Sequence, residues 1–211
     1  MYPNWLEARK VIRSVQKKTS PKVIGGKVQK KNNWAETPNY YNDAPPSLVI
    51  DRKRPGIGYR HLLKQRDIVD FIAILPDWAE LSRGLNGIVL APGDWRIFGY
   101  HRPGVIHICA WDKDLWITLS KEGVEQERFF LERFGVDCEP NGDDVLCKFS
   151  EATARAHQLL ATLLHELGHH HDRMTTRSKG CASRGEGYAE EYAKRYTDQI
   201  WARYLDTFGM L

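Results

Sequence analysis

The segment that follows Ser150 constrains the fold most, because it predicts a long helix with two different faces. Ser150 is a residue type that caps helix N-termini. At the α-helical step of about 100° per residue, the positions opposite His165 are apolar: Ala156, Leu160, Leu163 and Leu167. The positions on the same side as His165 are small or polar: Gln158, Ala161, Thr162 and His169. The segment therefore predicts a helix that packs one stripe on a core and leaves the other face for a site.

The second face carries the motif His165-Glu166-Leu167-Gly168-His169. On a helix the two histidines at i and i+4 lie about 40° apart and one turn along, so their imidazoles can point at one metal ion. Glu166 lies about 100° from His165, where a carboxylate can reach a water molecule beside the metal. A histidine pair that belonged to the core would lie within the apolar stripe, and this pair does not. The motif therefore predicts His165 and His169 as metal ligands and Glu166 as a catalytic general base.

A zinc site that hydrolyses needs a third protein ligand and an open fourth position. A helix predicted to begin near Gly185 and to run to Phe208 presents Glu186 and Glu190 at i and i+4 on one face. We assign Glu186 as the third ligand. Glu190 would then be the carboxylate that orients a ligand histidine through its other ring nitrogen. An exchange of these two roles remains open.

The pattern H-E-x-x-H, followed after 16 residues by glutamate, resembles the gluzincins, which are zincin metallopeptidases whose third ligand is a glutamate. Glu186, Ala189, Tyr192 and Ala193 are similar to the corresponding positions of small intracellular zincins of the ImmA/IrrE type. The resemblance covers about residues 85–205. It implies an α+β fold, in which a short mixed or antiparallel sheet has an edge strand over the HExxH helix. A C-terminal helix would carry the third ligand. The strand expected at that edge is Val105 to Trp111.

Two other families with this motif do not fit the sequence. A metzincin requires a glycine and a third histidine at the positions held by Asp172 and Thr175. Peptide deformylase takes a cysteine ligand from a glycine-rich motif, which Cys138 and Cys147 lack.

The charge of the chain is unevenly distributed. Residues 1–60 contain 13 Lys and Arg against 4 Asp and Glu, whereas the remainder contains 18 against 23, so the net charge of +4 originates in the first segment. That segment is also rich in proline and glycine and poor in apolar periodicity. It predicts a basic arm over residues 1–58, extended or partly disordered apart from a short helix at 3–18, attached to a zincin-like domain at 59–211.

The rest of the chain predicts a mixture of short elements. Helices are expected over residues 62–75, 77–83 and 129–134, and strands over 88–90 and 145–149. Segments 105–111 and 115–119 are expected to pair as a hairpin with a three-residue loop. The cysteines form no Cys-x-x-Cys pair, and we expect free thiols, although Cys138 and Cys147 flank a turn and could pair.

Together these features predict a zinc-dependent metallopeptidase that acts on a peptide or protein. Tyr188, Tyr192, Tyr196 and Arg195 are equally open candidates for stabilising an oxyanion, whereas His157, His170 and His171 are expected to be structural. No apolar run reaches the roughly 18 residues of a membrane span and no signal sequence is evident, which predicts a cytoplasmic protein. The alternative is a zincin-fold regulatory or binding module whose basic arm contacts nucleic acid or a protein partner.

Overall fold

The computed structural model describes residues 39–41, 44–176 and 183–211, together with the backbone of three short strands before them. Those strands are β1 (Ile12–Arg13), β2 (Val23–Ile24) and β3 (Lys27–Val28), of which β2 and β3 pair with each other. Most of the helix predicted at 3–18 lies outside the described residues. The part of it that is described, Ile12–Arg13, is a strand and not a helix.

The centre of the fold is a five-stranded mixed sheet with the order β1-β4-β6-β8-β7. Its further strands are β4 (Val49–Arg52), β6 (Gly87–Ala91), β7 (Gly99–Arg102) and β8 (Val105–Cys109). The first four strands in this order are parallel, and β7 runs antiparallel to β8. Every residue of β6 and β8 is buried, because both faces of these apolar strands are covered.

The edge strand is not the one predicted. Val105–Cys109 pairs with β6 on one side and with β7 on the other, so it lies inside the sheet. The edge is β7, which a turn at Pro103 and Gly104 connects to β8. Gly104 has a φ of 75°, and proline followed by a residue with positive φ favours a tight turn. The hairpin of this region therefore spans residues 99–109, and the predicted pairing of 105–111 with 115–119 is wrong.

The sheet also includes part of the predicted arm. β4 lies between β1 and β6, and its residues Val49 and Ile50 are fully buried. The short strand β5 (Tyr59–Arg60) pairs with β9 (Trp111–Asp112). An apolar run as short as Leu48 to Ile50 gives no periodicity from which a central strand could be predicted. The part of the chain that folds around the site therefore reaches back at least to Val49, into the range 1–58 that was predicted as an arm.

A separate antiparallel sheet has the order β10-β12-β11. Its strands are β10 (Trp116–Leu119), β11 (Asp137–Asn141) and β12 (Asp144–Lys148). The strand expected at 145–149 is β12. Cys138 and Cys147 are directly opposite each other in this sheet, with their Sγ atoms 2.7 Å apart.

The helices of the described residues follow the predicted order. They are α1 (Gln65–Ile74), α2 (Trp78–Leu81), α3 (Lys121–Phe134), α4 (Glu151–Ala156), α5 (Leu164–Thr175) and α6 (Gly185–Phe208). The bounds predicted for α6 from Gly185 and Phe208 are confirmed. α3 begins eight residues before the predicted start, and Ser120 caps it by accepting a hydrogen bond from the N–H of Gly123.

α4 and α5 belong to one continuous helical segment, residues 151–175, which we call the long helix. A π-helical segment, His157–Leu163, joins them. Ser150 caps the start, as predicted, since its Oγ accepts a hydrogen bond of 3.0 Å from the N–H of Thr153. Hydrogen bonds in a π-helix span i→i+5, one residue more than in an α-helix. A constant step of about 100° therefore does not describe residues 157–163.

The main core lies between the five-stranded sheet and the helices. The apolar stripe predicted on the long helix, at Ala156, Leu160, Leu163 and Leu167, is buried there. Burial of each CH₂ group contributes about 0.8 kcal/mol, so this stripe holds the long helix in place and leaves its other face to the site. The described chain thus has an α+β fold.

Within the described residues, none of the helices combines the length and the apolar character that crossing a membrane would take.

Candidate metal centre

The long helix brings both motif histidines to one place. Leu164 and Leu167 are buried in the core, whereas the side chains of His165 and His169 remain 24% and 14% exposed. The Nε2 atoms of the two histidines are 3.0 Å apart, so both imidazoles point to the same spot.

α6 brings a carboxylate to the same spot because it packs very closely on α5. A Cβ atom added to Gly168 would lie 2.8 Å from Cα of Ala189 and 3.0 Å from Cβ of Tyr192. Glycine at position 168 is therefore what allows the two helices to approach. Across this contact, Oε2 of Glu186 lies 3.1 Å from Nε2 of His165 and 3.3 Å from Nε2 of His169.

The three atoms form a triangle that fits a tetrahedral metal ion. Zinc bonds of about 2.0–2.1 Å separate neighbouring ligand atoms by about 3.3 Å, close to the observed 3.0, 3.1 and 3.3 Å. Two imidazole nitrogens and one carboxylate oxygen also form a donor set typical of catalytic zinc. Within the described part of the chain, no fourth histidine, cysteine or carboxylate joins this group. The group therefore offers three candidate protein ligands to a metal ion.

Glu190 lines the same cleft one turn beyond Glu186. The side chains whose ligand atoms lie close enough together to hold a metal are His165, His169 and Glu186, and Glu190 is not among them. No hydrogen bond between described residues joins Glu190 to either histidine. The structure therefore gives no contact that supports the predicted role of Glu190 in orienting a ligand histidine. The geometry therefore places Glu186 as the candidate third ligand and Glu190 in the wall.

Glu166 is buried beside the three candidate ligand atoms, with 6% of its surface exposed. Its burial and, to a lesser extent, the charge of Glu186 raise the pKa of this carboxyl to about 8. The edge strand passes directly against it, since a Cβ atom added to Gly99 would lie 3.3 Å from Oε1 of Glu166. A carboxyl group in this environment can gain and lose a proton near neutral pH.

These groups open into a cleft of about 590 Å³, a volume within the range of ligand pockets. One wall is β7 with the residues just before it, and the other wall is formed by α3 and α6. Along the floor, five residues of the long helix follow one another at intervals of four: His157, Ala161, His165, His169 and Arg173. We call the end near His157 the upstream end and the end near Arg173 the downstream end.

His157 and Glu127 form the upstream end. His157 is buried, with its Nε2 atom 3.2 Å from Oε2 of Glu127 and its Nδ1 atom 3.5 Å from Oγ1 of Thr162. Burial alone would raise the pKa of Glu127, but the charge and hydrogen bond of His157 outweigh it, and the pKa is lowered. Aromatic rings of Phe98, Trp111 and Phe149 surround the imidazole. His157 is thus packed, as predicted, and it also lines the cleft.

His101 and His170 connect the edge strand to the long helix at the downstream end. Nε2 of His101 lies 3.4 Å from Nδ1 of His170, and Nε2–H of His170 donates a hydrogen bond of 2.9 Å to the carbonyl of Arg83. Burial, followed by the charges of its neighbours, lowers the pKa of His101 to about 3. His170 is fully buried, which agrees with its predicted packing role.

The structure does not bring the four predicted oxyanion-stabilising residues into the cleft. Tyr188 is hydrogen-bonded to Nδ1 of His171 at 2.7 Å, and Tyr192 is buried. Arg195 lies over the rings of Tyr192 and Tyr196. None of these residues lines the cleft described above. They pack along another face of α6.

Sequence analysis missed the edge strand and Arg173. The signal for the strand was the Pro103-Gly104 turn between two extended segments, and the signal for Arg173 was the four-residue interval that continues from His165 and His169. His107 of β8 does not line the cleft. It is hydrogen-bonded to the hydroxyl of Tyr41 at 2.8 Å and stacks on Tyr100.

Comparison of the chain with protein-family models, with curated proteins and with solved structures finds no match.

Proposed function

We propose that this chain is a zinc-dependent peptidase with His165, His169 and Glu186 as its metal ligands. The observation that carries the proposal is the triangle of ligand atoms, with sides of 3.0, 3.1 and 3.3 Å, next to a buried carboxylate. Zinc held by such a donor set acidifies a water molecule and polarises a substrate carbonyl.

Glu166 is the proposed general base. It accepts the proton of the attacking water and passes it to the amine that leaves. Burial next to the ligand atoms supports this role, because a carboxylate that is withdrawn from water accepts a proton more readily than an exposed one.

The edge strand β7 is the proposed binding site for the substrate backbone. The carbonyl of Phe98 accepts a hydrogen bond of 2.8 Å from the N–H of Cys109, so alternate residues of β7 turn their polar groups toward β8. Gly99 and His101 lie at the other positions and turn theirs toward the open edge. An extended peptide can add a strand there through main-chain hydrogen bonds. Such binding tolerates many side chains.

We extend the proposal to a gluzincin-type architecture. Its support is the arrangement of the described elements: a mixed sheet, an antiparallel edge strand along the HExxH helix, and a following helix that bears a glutamate.

The zinc content of alanine variants tests which residues are the metal ligands. We expect the wild type to bind zinc and His165→Ala and Glu186→Ala to lose it, because two remaining ligands hold the ion poorly. Glu190→Ala should retain it, and so should the control Glu191→Ala, whose side chain is exposed. Zinc lost from Glu190→Ala and kept by Glu186→Ala would exchange the two roles.

Hydrolysis of a quenched fluorescent peptide pool tests the chemistry. Glu166→Gln should retain zinc and lose about 10²–10⁴-fold in rate, since the general base is removed. Glu191→Gln, a matched change outside the cleft, should leave the rate unchanged. Cleavage by Glu166→Gln at the parental rate would refute the role of Glu166.

A purely structural metal site is the nearest alternative. It would need a fourth protein ligand, and the zinc K-edge spectrum distinguishes four protein ligands from three with an exchangeable water. The binding-module alternative depends on the basic arm, which lies largely outside the described residues. DNA retention that is lost with rising salt and on replacement of Lys17, Lys18, Lys30 and Lys31 by glutamine would favour it.

A further inference from the structure

An unneutralised cation lies at the downstream end of the cleft. Arg173 is in the last turn of α5, four residues beyond the candidate ligand His169, and it lines the cleft. Its Nε and Nη1 atoms are buried and have no hydrogen-bond partner. Among the described residues, no carboxylate forms an ion pair with it. A partly buried guanidinium usually has both hydrogen-bond acceptors and a carboxylate partner, and Arg173 has neither for these atoms among the described residues.

Other arginines of the chain show what Arg173 lacks. Arg133 is paired with Asp198, and Arg60 with Glu151. The carboxylate next to Arg173 in sequence, Asp172, is already engaged, because its Oδ2 accepts a hydrogen bond of 2.7 Å from the N–H of Arg184. A position near the C-terminus of a helix favours a positive charge, but it does not satisfy buried N–H groups. The positive charge of Arg173 therefore has no carboxylate partner among the described residues, and a carboxylate that enters the cleft can supply one.

The chemistry of that acceptor follows from the guanidinium. Its N–H groups form a rigid planar fork that matches the two oxygens of a carboxylate. We propose that Arg173 binds a carboxylate of the peptide substrate at the downstream end of the cleft. The inference rests on the proposed function, and it adds a substrate class: peptides with an acidic side chain or a C-terminal carboxylate near the cleaved bond.

The distance from the metal centre sets the position of that carboxylate. Four residues of α-helix separate His169 from Arg173, which is about 6 Å along the axis. On the facing wall, Gly99 lies against Glu166 and His101 lies against His170, and two residues of strand span about 6–7 Å. Both walls therefore place the carboxylate within about two residues of the cleaved bond.

The two ends of the cleft differ in charge. The upstream end contains the carboxylate of Glu127, held by His157, whereas the downstream end contains Arg173. At the upstream end the charge of Glu127 is offset by His157 and Lys194, whereas no described carboxylate offsets the charge of Arg173, so a substrate carboxylate is attracted most strongly at the downstream end. The preference should consequently appear on one side of the cleaved bond only.

Binding to the zinc-loaded full-length Glu166→Gln variant tests the inference without turnover. The probes are fluorescein-labelled alanine heptapeptide amides in which one glutamate, or its glutamine twin, is moved along the sequence. A second pair compares the all-alanine heptapeptide as free acid and as amide. We expect one member of either set to bind about 10–100-fold more tightly than its neutral twin, from the strength of charge-assisted hydrogen bonds. The set that shows the preference identifies the source of the carboxylate.

Variants in the same background assign the preference to Arg173. Arg173→Gln should bring the ratio of acidic to neutral affinity close to one, and Arg173→Lys should keep part of it, since charge remains and the fork is lost. Lys194→Gln removes the other cation that lines the cleft and should keep the ratio. Zinc content and thermal melting establish that each variant is folded.

Three results would overturn the inference: no carboxylate preference in a zinc-loaded protein, a ratio unchanged by Arg173→Gln, or a ratio lost equally in Lys194→Gln. Cleavage of the neutral peptides by the wild type is measured separately. Cleavage without a carboxylate preference would leave the peptidase proposal standing and remove this one. A carboxylate preference without cleavage would support the role of Arg173 in binding and contradict the peptidase proposal.

Discussion

Replacement by alanine should change the stability of the protein in opposite directions at two glycines, Gly168 of α5 and Gly187 of α6. Gly168 lies where α5 touches α6, and a Cβ atom there would meet backbone at 2.8 Å. Gly187, next to the candidate ligand Glu186, is exposed, and a Cβ atom added to it would have no neighbouring atom within 4 Å. Both residues are inside helices, so alanine gains the same intrinsic helix propensity at each.

The magnitude follows from these two terms. Alanine is favoured over glycine in a helix by about 1 kcal/mol. At Gly168 the overpacking cost is about 2–3 kcal/mol, in the upper part of the usual range, because the opposing atoms belong to the backbone and cannot rotate away. Gly168→Ala should therefore lose about 1–2 kcal/mol of unfolding free energy, and Gly187→Ala should gain up to about 1 kcal/mol.

Thermal unfolding and zinc titration measure the two effects. For a chain of 211 residues, each kcal/mol shifts the Tm by about 2–4 °C. Gly168→Ala should melt lower and also bind zinc more weakly, because separating the helices moves Glu186 away from the histidines. Gly187→Ala should melt higher with unchanged zinc affinity. Equal melting temperatures and zinc affinities for the two variants would refute the account of the helix contact.

Three further predictions concern the supports of the site. Ser150→Ala should lose about 1 kcal/mol, measured by urea unfolding, with zinc content unchanged, because only the cap of the long helix is removed. Thr197→Val should lose about 1 kcal/mol, since the buried hydroxyl donates to the carbonyl of Leu160 in the π-helical segment, and an equal loss from the exposed Thr207→Val would contradict this. Burial lowers the pKa of His107 to about 4, so the unfolded chain binds more protons between pH 6.5 and 4 and stability falls as the pH falls through this window. Between pH 6.5 and 5 the loss is up to about 2 kcal/mol, and over this range metal-free His107→Gln should lose less stability than the metal-free parent by that amount.

The helices around the site could be predicted because their signals are local. Ser150 fixed the start of the long helix, and the four-residue spacing of His165 and His169 was sufficient to direct both toward one point. Glu186 was assigned from the sequence, with an exchange with Glu190 left open, because the two share one helix face; in the structure the atoms of His165, His169 and Glu186 are the ones that lie together.

The strands could not be predicted to the same extent, because their pairing is not local. Val105–Cys109 was expected to pair with its neighbour in sequence, yet its partners are Gly87–Ala91 and Gly99–Arg102. β4 lies in a segment whose composition resembles an arm, and only its parallel neighbours make it a central strand. The π-helical segment has no signature in residue spacing, so the α-helical step assumed for residues 157–163 was wrong, although Leu160 and Leu163 are buried as predicted.

The contact at Gly168 bears on the connection between the two helices that carry the candidate ligands. Because that contact sets the position of Glu186, residues 176–184, between the end of α5 and the start of α6, need only be long enough to join the two helices. A chain could gain or lose residues there without displacing the candidate ligand Glu186. The number of residues between the motif and the glutamate can therefore vary. The residue at the contact between the two helices must stay small. Chains that share this centre should be recognisable by that crossing even where the loop lengths disagree.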